Sequence, residues 1–433
     1  MQRKSVFVTG ATGMIGRAVV PALLQAGYPV RILVRHPENA PWTQNPDVQI
    51  FQGDITDAAS VTNACESIDT VVHLAARKND EADSEAVNVG GARNLREACE
   101  KHHIRKIINI STQSVKLPVK GLYASTKEQA DRILQSSTIP VITLLPSVVY
   151  ATAHDGIVGS IVAFSRLPVL PVIGPGTPTF RPIHRDDLAR IVVESIESDA
   201  AVDKSYDIGG PDLLSFDQLA DKILAIRGLK RRHMHIPSSV AMLLARVFAI
   251  LKKPIITESN VLGAAVDVPM DLTPFERDFR TRPRSFDAGL REMFPVMDSA
   301  HLEADALLRY VLPMTWTPSA AVIERYLSAL DRHAIPRTPT LDTHVRGSKL
   351  LLGAIDAATH YDPSAPLRQK LLIAAAVAET TPVAASLLLP KDRNIVVVIA
   401  IAALAVIETA ALKVLSLPLY CIPGFLSRNA GRI

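Results

Sequence analysis

The sequence predicts a doubly wound α/β fold of Rossmann type, a parallel sheet with a smaller substrate-facing α/β part, followed by an appended helical and partly hydrophobic C-terminal region. Three observations carry this expectation. Short β-branched runs alternate with helical patterns through the first 150 residues, and the first run meets a three-glycine turn. From 347 onward, longer apolar stretches replace the alternation.

The first element is Ser5-Val6-Phe7-Val8-Thr9, uncharged, β-branched and too short for a helix. It runs into Gly10-Ala11-Thr12-Gly13-Met14-Ile15-Gly16, and a helical pattern follows from about Met14 to Ala26. Strand, glycine turn and helix are the parts of a dinucleotide-binding βαβ unit. In such a unit Gly10 permits the tight turn, Gly13 lets the backbone approach a pyrophosphate, and Gly16 lets the helix pack close to the strand. The helix N-terminus offers free N–H groups and partial positive charge to the phosphates.

Tyr28 to Val34 reads as the second strand, with Arg35 at its end. An acidic residue there suits the ribose of NAD, whereas an arginine suits a 2′-phosphate, so NADP(H) is expected over NAD(H). Arg17, just after the third glycine, is a second cation for the same group. Val48 to Phe51 is a third strand, and Asp54 beyond it is placed for the adenine edge, while Thr56 or Asp57 caps the next helix. Thr70 to Leu74 is a fourth strand leading to Ala75 and Ala76, small enough for close approach to the cofactor. His73, inside that apolar strand, reads as a core histidine. A helix with Asn88-Val89-Gly90-Gly91 in its middle follows, then a fifth strand, Lys106 to Ile110, opening into Ser111 and Thr112.

The catalytic expectation rests on Tyr123-Ala124-Ser125-Thr126-Lys127, which puts a phenol and an ammonium four residues apart on one helix face. A nearby ammonium favours the phenolate and brings the tyrosine closer to acid–base work. A hydroxyl of Ser111 or Thr112 is expected to polarise a substrate carbonyl beside it.

These motifs resemble the extended and atypical short-chain dehydrogenase/reductase superfamily, the epimerase/dehydratase-like proteins, over residues 5 to about 296. The resemblance is carried by Thr9 to Gly16, Gly53-Asp54-Ile55, Val72 to Ala76, Asn88 to Gly91, Ile110-Ser111-Thr112, Tyr123 to Lys127 and Leu145 to Tyr150. Phe180 to Ala189 and Tyr206 to Pro211 extend it. Leu272 to Phe275 and Arg282 to Leu290 are most similar to the group that includes the nucleotide-binding accessory subunit of respiratory complex I. The resemblance implies that the turn residues Gly10, Thr12, Gly13, Met14, Ile15 and Gly16 line the pyrophosphate. It also implies that Arg35 faces the 2′-phosphate, that Asp54 and Ile55 flank adenine, and that Leu74, Ala75 and Ala76 border the ribose. Pro146 joins the cofactor-binding set. Tyr123 is then the acid/base, Lys127 lowers its pKa and holds the nicotinamide ribose, Ser111 or Thr112 orients substrate, and Asn88 is structural. Two positions depart from the pattern: Leu145 stands where an arginine is common, and Ala151 where a glycine is usual. The same group includes proteins that hold the nucleotide without turning it over.

Beyond residue 151, Pro168 to Thr179 reads as a loop over the site, and Arg185 to Ser198 as an apolar-striped helix with Asp186 and Asp187 in its first turn. A further helix starts at Ser215 or Asp217, and a third runs from Pro237 to Leu251 with an apolar face expected to pack against the core, a membrane surface being the other reading. The expected domains are 1–296 (substrate-facing from about 151), a helical connector at 297–345, and a hydrophobic helical region at 346–433. In the last region Leu371–Leu389 and Ile395–Leu417 are apolar, the second with thirteen uncharged residues from Ile395 to Ile407 before Glu408. About 20 residues span a bilayer core. Membrane association is therefore expected, as a hairpin with both ends cytoplasmic, judged from Arg368, Lys370, Arg428 and Arg432; a small buried bundle is the other reading.

A net charge of +4 over 433 residues, with no basic run, excludes a nucleic-acid partner. Three scattered cysteines suggest a reducing compartment and no metal site, and the early first strand leaves no room for a signal peptide. The functional expectation is an NAD(P)(H)-dependent oxidoreductase acting on an apolar or lipid-like carbonyl or alcohol, on the cytoplasmic side of a membrane. The alternatives are a non-catalytic NADPH-binding assembly protein of a membrane complex and a sugar-nucleotide epimerase or dehydratase.

Overall fold

The structure, a computed structural model, describes residues 5–78, 83–153, 155–165, 167, 169–199, 201–250, 257–294, 299–311, 318, 320–341, 352, 356 and 365–379. Its first half alternates strands and helices: β1 (Val6–Thr9), α1 (Gly16–Gln25), β2 (Val30–Val34), β3 (Val48–Gln52), α2 (Ala58–Ala64), β4 (Thr70–His73), α3 (Gly91–Lys101), β5 (Lys106–Ile110), α4 (Leu122–Gln135) and β6 (Val141–Pro146). There follow β7 (Val149–Tyr150), α5 (Gly156–Phe164), β8 (Val169–Ile173), β9 (Thr179–Phe180), β10 (Ile183–His184), α6 (Arg185–Glu197), β11 (Ser205–Ile208), β12 (Leu214–Ser215) and α7 (Phe216–Ile226). The remainder is β13 (Arg232–Ile236), α8 (Ser238–Ile250), α9 (Glu258–Ala265), α10 (Thr273–Asp278), α11 (Phe286–Met293), α12 (Ser299–Val311), α13 (Ala320–Arg332) and α14 (Pro366–Glu379).

Seven strands form one sheet in the order β11-β6-β5-β4-β1-β2-β3, and every neighbouring pair is parallel. Strand alternation explains the two-sided burial. Val6 and Val8 of β1 face the side covered by α1 and α6, with Val19, Leu23, Leu188 and Val192, while Phe7 faces α2, α3 and α4, with Val61, Leu95 and Leu134. The order reverses between β1 and β4, in register Thr9 opposite His73, and such a switch point is where doubly wound sheets bind ligands.

The chain divides into two compact units. One comprises residues 1–160, 171–219 and 235–293, and the other 161–170, 220–234 and 294–433. In the second unit α12, α13 and α14 share an apolar core that includes Leu307, Leu308, Ile323, Leu327, Leu330, Leu371 and Ala374. Inside it Lys370 Nζ lies 2.7 Å from Glu303 Oε2, and Glu303 Oε1 accepts the N–H groups of Thr340 and Leu341.

Several sequence expectations change in detail. Residues 168–179 are not all loop, because Leu170 and Val172 alternate inward as β8. The first helix begins at Gly16 rather than Met14. Asn88 sits in a wide π-type turn, Ala86–Gly90, that precedes α3. Leu371–Glu379 belongs to the helical core of the second unit, and residues 380–433, with the stretch Ile395–Leu417, lie outside the described residues. Among the described residues no helix is long and apolar enough to cross a membrane.

Candidate active site

The glycine turn leaves β1 at Gly10, whose φ of +71° suits glycine and where a Cβ would lie 2.7 Å from the backbone of Leu74 and Ala75. Gly16 is equally constrained, since a Cβ there would collide with the carbonyls of Gly10 and Ala11. At Gly13 a Cβ would meet only the Gly10 carbonyl, at 3.2 Å, so this backbone stays open to a ligand. No side chain caps the first turn of α1; there the N–H groups of Arg17, Ala18 and Val19 donate to the carbonyls of Gly13 and Ile15, while the helix start still carries the positive end of the dipole. This cradle fits a dinucleotide pyrophosphate.

The neighbouring loops complete the cradle. Thr9 Oγ1 bonds His73 Nδ1 at 2.8 Å and accepts the N–H groups of Leu74 and Ala75 at 3.3 Å, tying the ends of β1 and β4 together. Leu74 and Ala75 are half-buried and Ala76 exposed, so all three edge the cleft. His73 is buried, as expected of a core histidine; burial and the nearby Lys127 hold its pKa down at about 3, so the ring is neutral.

Asp54 accepts the N–H and hydroxyl of Thr56, both at 2.9 Å, and Asp57 caps α2, the capping role that the sequence offered for Thr56 or Asp57. Ile55 is buried against Gly91, where any Cβ would meet it. Arg35 follows β2 on the surface, whereas Arg17 donates from Nε to the Thr12 carbonyl at 2.9 Å and braces the turn. Thr12 is exposed on the turn, and Met14 and Ile15 half-buried before α1. Pro146 ends β6 and is buried. Asn88 bonds both the N–H and the carbonyl of Arg77 and the Thr126 hydroxyl, a structural clamp.

Tyr123, Lys127 and the end of β5 converge. The Tyr123 hydroxyl bonds the side chain of Thr112, which itself caps the short 3-10 turn Gln113–Lys116. Lys127 is buried, and its Nζ donates to the Ile110 carbonyl at 3.0 Å. Ser111, also buried, donates to the Asp131 carboxylate rather than towards Tyr123. Thus the structure separates the two hydroxyls that the sequence left as alternatives. It also reverses one electrostatic expectation. Burial and the negative charge of Asp131 push the Tyr123 phenol up to about 12, so the tyrosine is a protonated acid at neutral pH, not a poised phenolate.

Gln113, the residue after Thr112, lines a cavity of about 330 Å³ together with Thr179, Arg181, Leu213 and the segment Asp267-Val268-Pro269-Met270. Gln113 Nε2 donates to the Val268 carbonyl at 2.8 Å. Neither this wall nor Asp131 is marked by a sequence motif. Asp131 could have been found as the next member of the Tyr123, Lys127 stripe at helical spacing; the cavity wall, about 150 residues away from Gln113 in sequence, could not.

The comparisons with known proteins agree with this geometry. Residues 10–199 match the family described as NAD(P)H-binding. The chain is 28% identical over 193 residues to the ceramide reductase of Caulobacter vibrioides, covering 44% of this chain and 60% of that protein, less than two thirds of its length. It is 25% identical over 324 residues to the 2-alkyl-3-oxoalkanoate reductase of Stenotrophomonas maltophilia, covering 66% of this chain and 98% of that one. It is also 25% identical over 259 residues, 57% of this chain and 64% of the relative, to the mitochondrial NADH dehydrogenase [ubiquinone] 1 alpha subcomplex subunit 9 of Arabidopsis thaliana. Among solved structures, the UDP-glucuronic acid 4-epimerase of Bacillus cereus with UDP-glucuronic acid and NAD superposes with a TM-score of 0.55 at 21% identity, over 67% of this chain and 98% of the other. At these identities the likeness to solved structures concerns the fold.

Cradle, sheet order and family match define an NAD(P)-binding domain of oxidoreductase type. More particularly, the domain is similar to atypical, epimerase/dehydratase-like short-chain dehydrogenases/reductases, in sequence to the reductases and the complex I subunit above and in fold to the epimerase.

Proposed function

We propose that this protein is an NADPH-dependent reductase of apolar, chain-bearing 3-oxo substrates. The observation that carries the reading is the Thr112–Tyr123 hydroxyl pair at the end of β5, with a phenol that keeps its proton. A reduction needs a proton donor at the carbonyl oxygen, and a protonated Tyr123 is that donor. NADPH held at the Gly10–Gly16 turn would supply the hydride for the new C–H bond at the carbonyl carbon. Thr112 donates a hydrogen bond to the same oxygen and fixes its position, and Tyr123 delivers its proton there as negative charge develops. Lys127, one turn along α4, stabilises the phenolate left behind until water returns the proton.

The substrate class rests on Leu213, Val268, Pro269 and Met270, the apolar part of a cavity lining that also carries Gln113, Thr179, Arg181 and Asp267, and on the names of two relatives, a 2-alkyl-3-oxoalkanoate reductase and a ceramide reductase. The preference for NADPH rests on Arg35, exposed beyond β2. Membrane association through Ile395–Leu417 is part of the same proposal, because it brings the site to where apolar substrates reside.

The test is a fluorescence titration with NADPH and NADH, followed by NADPH oxidation with a long-chain 2-alkyl-3-oxo acid. NADPH binding with turnover supports the reductase. Tight binding with no turnover across 3-oxo acids and ketones overturns it in favour of a nucleotide-holding assembly protein.

A further inference from the structure

Asp131 lies one turn beyond Lys127 and two beyond Tyr123 on α4, and is only 6% exposed. Its carboxylate accepts Asn109 Nδ2 at 2.8 Å and the Ser111 hydroxyl, and between these two residues the Ile110 carbonyl accepts Lys127 Nζ. Three consecutive residues at the end of β5 are therefore each bound to α4 by one side-chain hydrogen bond. Thr112, the next residue, is the first free of α4's lower turns and the one that meets Tyr123.

We propose that Asp131 is a positioning residue of this site: its carboxylate withdraws Ser111 from the substrate, sets the charge beside Lys127, and leaves Thr112 and Tyr123 to face the carbonyl. The catalytic half of this inference rests on the reductase reading above. Holding two neutral donors does not require a negative charge, since an amide oxygen accepts them as well. What the carboxylate adds is an anion inside the protein near a buried ammonium. The groups facing Lys127 are Asp131 on its own helix, His73 on β4 and the Ile110 carbonyl on β5. Those facing Asp131 are Tyr123, Lys127 and Glu128 on α4, Asn109 on β5 and Ser111 just beyond it. His73 is neutral, so Asp131 is the charge that opposes the desolvation of Lys127.

The experiment measures NADPH affinity against pH for the full chain and for Asp131→Asn and Asp131→Glu, with turnover of the 3-oxo acid alongside. The pH dependence of binding needs no turnover, so failure of the reductase reading and failure of this inference are separable. In Asp131→Asn the ammonium of Lys127 loses its counter-charge and its proton is lost at lower pH. Affinity should then begin to fall about one pH unit earlier than in the parent, about a tenfold difference on the alkaline side, and Asp131→Glu should restore the parent profile. Turnover should fall far more in Thr112→Ala than in Ser111→Ala. An Asp131→Asn protein with a lower melting temperature but an unchanged pH profile overturns the inference and leaves Asp131 a structural residue. Should Asp131→Asn fail to fold, the hydroxyl pair decides: a larger loss in Ser111→Ala than in Thr112→Ala overturns it.

Discussion

Tyr123 shows how far a side chain's surroundings can move it from its sequence-level reading. The Tyr–Lys spacing predicts a lowered pKa, yet burial and Asp131 raise it, which suits proton donation and hence reduction. Tyr123→Phe should lower turnover by about 100-fold or more while NADPH affinity stays within twofold, measured by steady-state kinetics and fluorescence titration. Because the phenol titrates near 12, the rate of reduction should show no alkaline loss from this group below about pH 10. At Arg35 the expectation concerns the cofactor: Arg35→Ala should weaken NADPH binding about tenfold and leave NADH nearly unchanged. His73 links the site to acid stability. Its folded pKa lies near 3 against about 6.5 in the unfolded chain, so the unfolded state binds more protons between those values. Stability is then fully present above about pH 6.5 and falls as pH drops towards 3; His73→Gln, melted across this range, should show a shallower acid loss.

At the scale of elements, the site is two junctions: β1 into α1, and β5 against α4. The first was legible in sequence because its requirements are local. Gly10 needs a positive φ and Gly16 a missing Cβ, and only glycine meets them. Even there α1 depends on the sheet, since Leu23 is fully buried against the face that also holds Ile191 and Val192. Leu23→Ala should cost about 3 kcal/mol of unfolding free energy by denaturant titration. The second junction was legible only in part. Tyr123 and Lys127 announce themselves by spacing, but the choice between Ser111 and Thr112 depends on Asp131, whose bonds cross from α4 to β5. The strand β8 was missed because Pro168, Pro171 and the glycines that follow read as a loop.

For the whole molecule, two units with separate cores imply separable unfolding. Breaking the buried pair by Lys370→Met leaves Glu303 charged inside the second unit, at a cost of about 3 to 5 kcal/mol. The expected outcome is an early melting transition assigned to this unit by limited proteolysis, with NADPH affinity retained. The membrane proposal belongs to this scale as well. Full-length protein should float with anionic vesicles, and a chain ending at residue 394 should not.

The sequence by itself determined the parallel sheet, the glycine cradle and the Tyr–Lys pair. Those features follow from short continuous β-branched runs alternating with helical patterns, from glycines with no substitute, and from a four-residue helical spacing, all of which are local. Only the tertiary structure decided which hydroxyl meets Tyr123, that the phenol keeps its proton, and that Val268-Pro269-Met270 walls the cavity beside Gln113. Each of these depends on burial or on contacts between residues far apart in the chain, which no short pattern of residue types encodes.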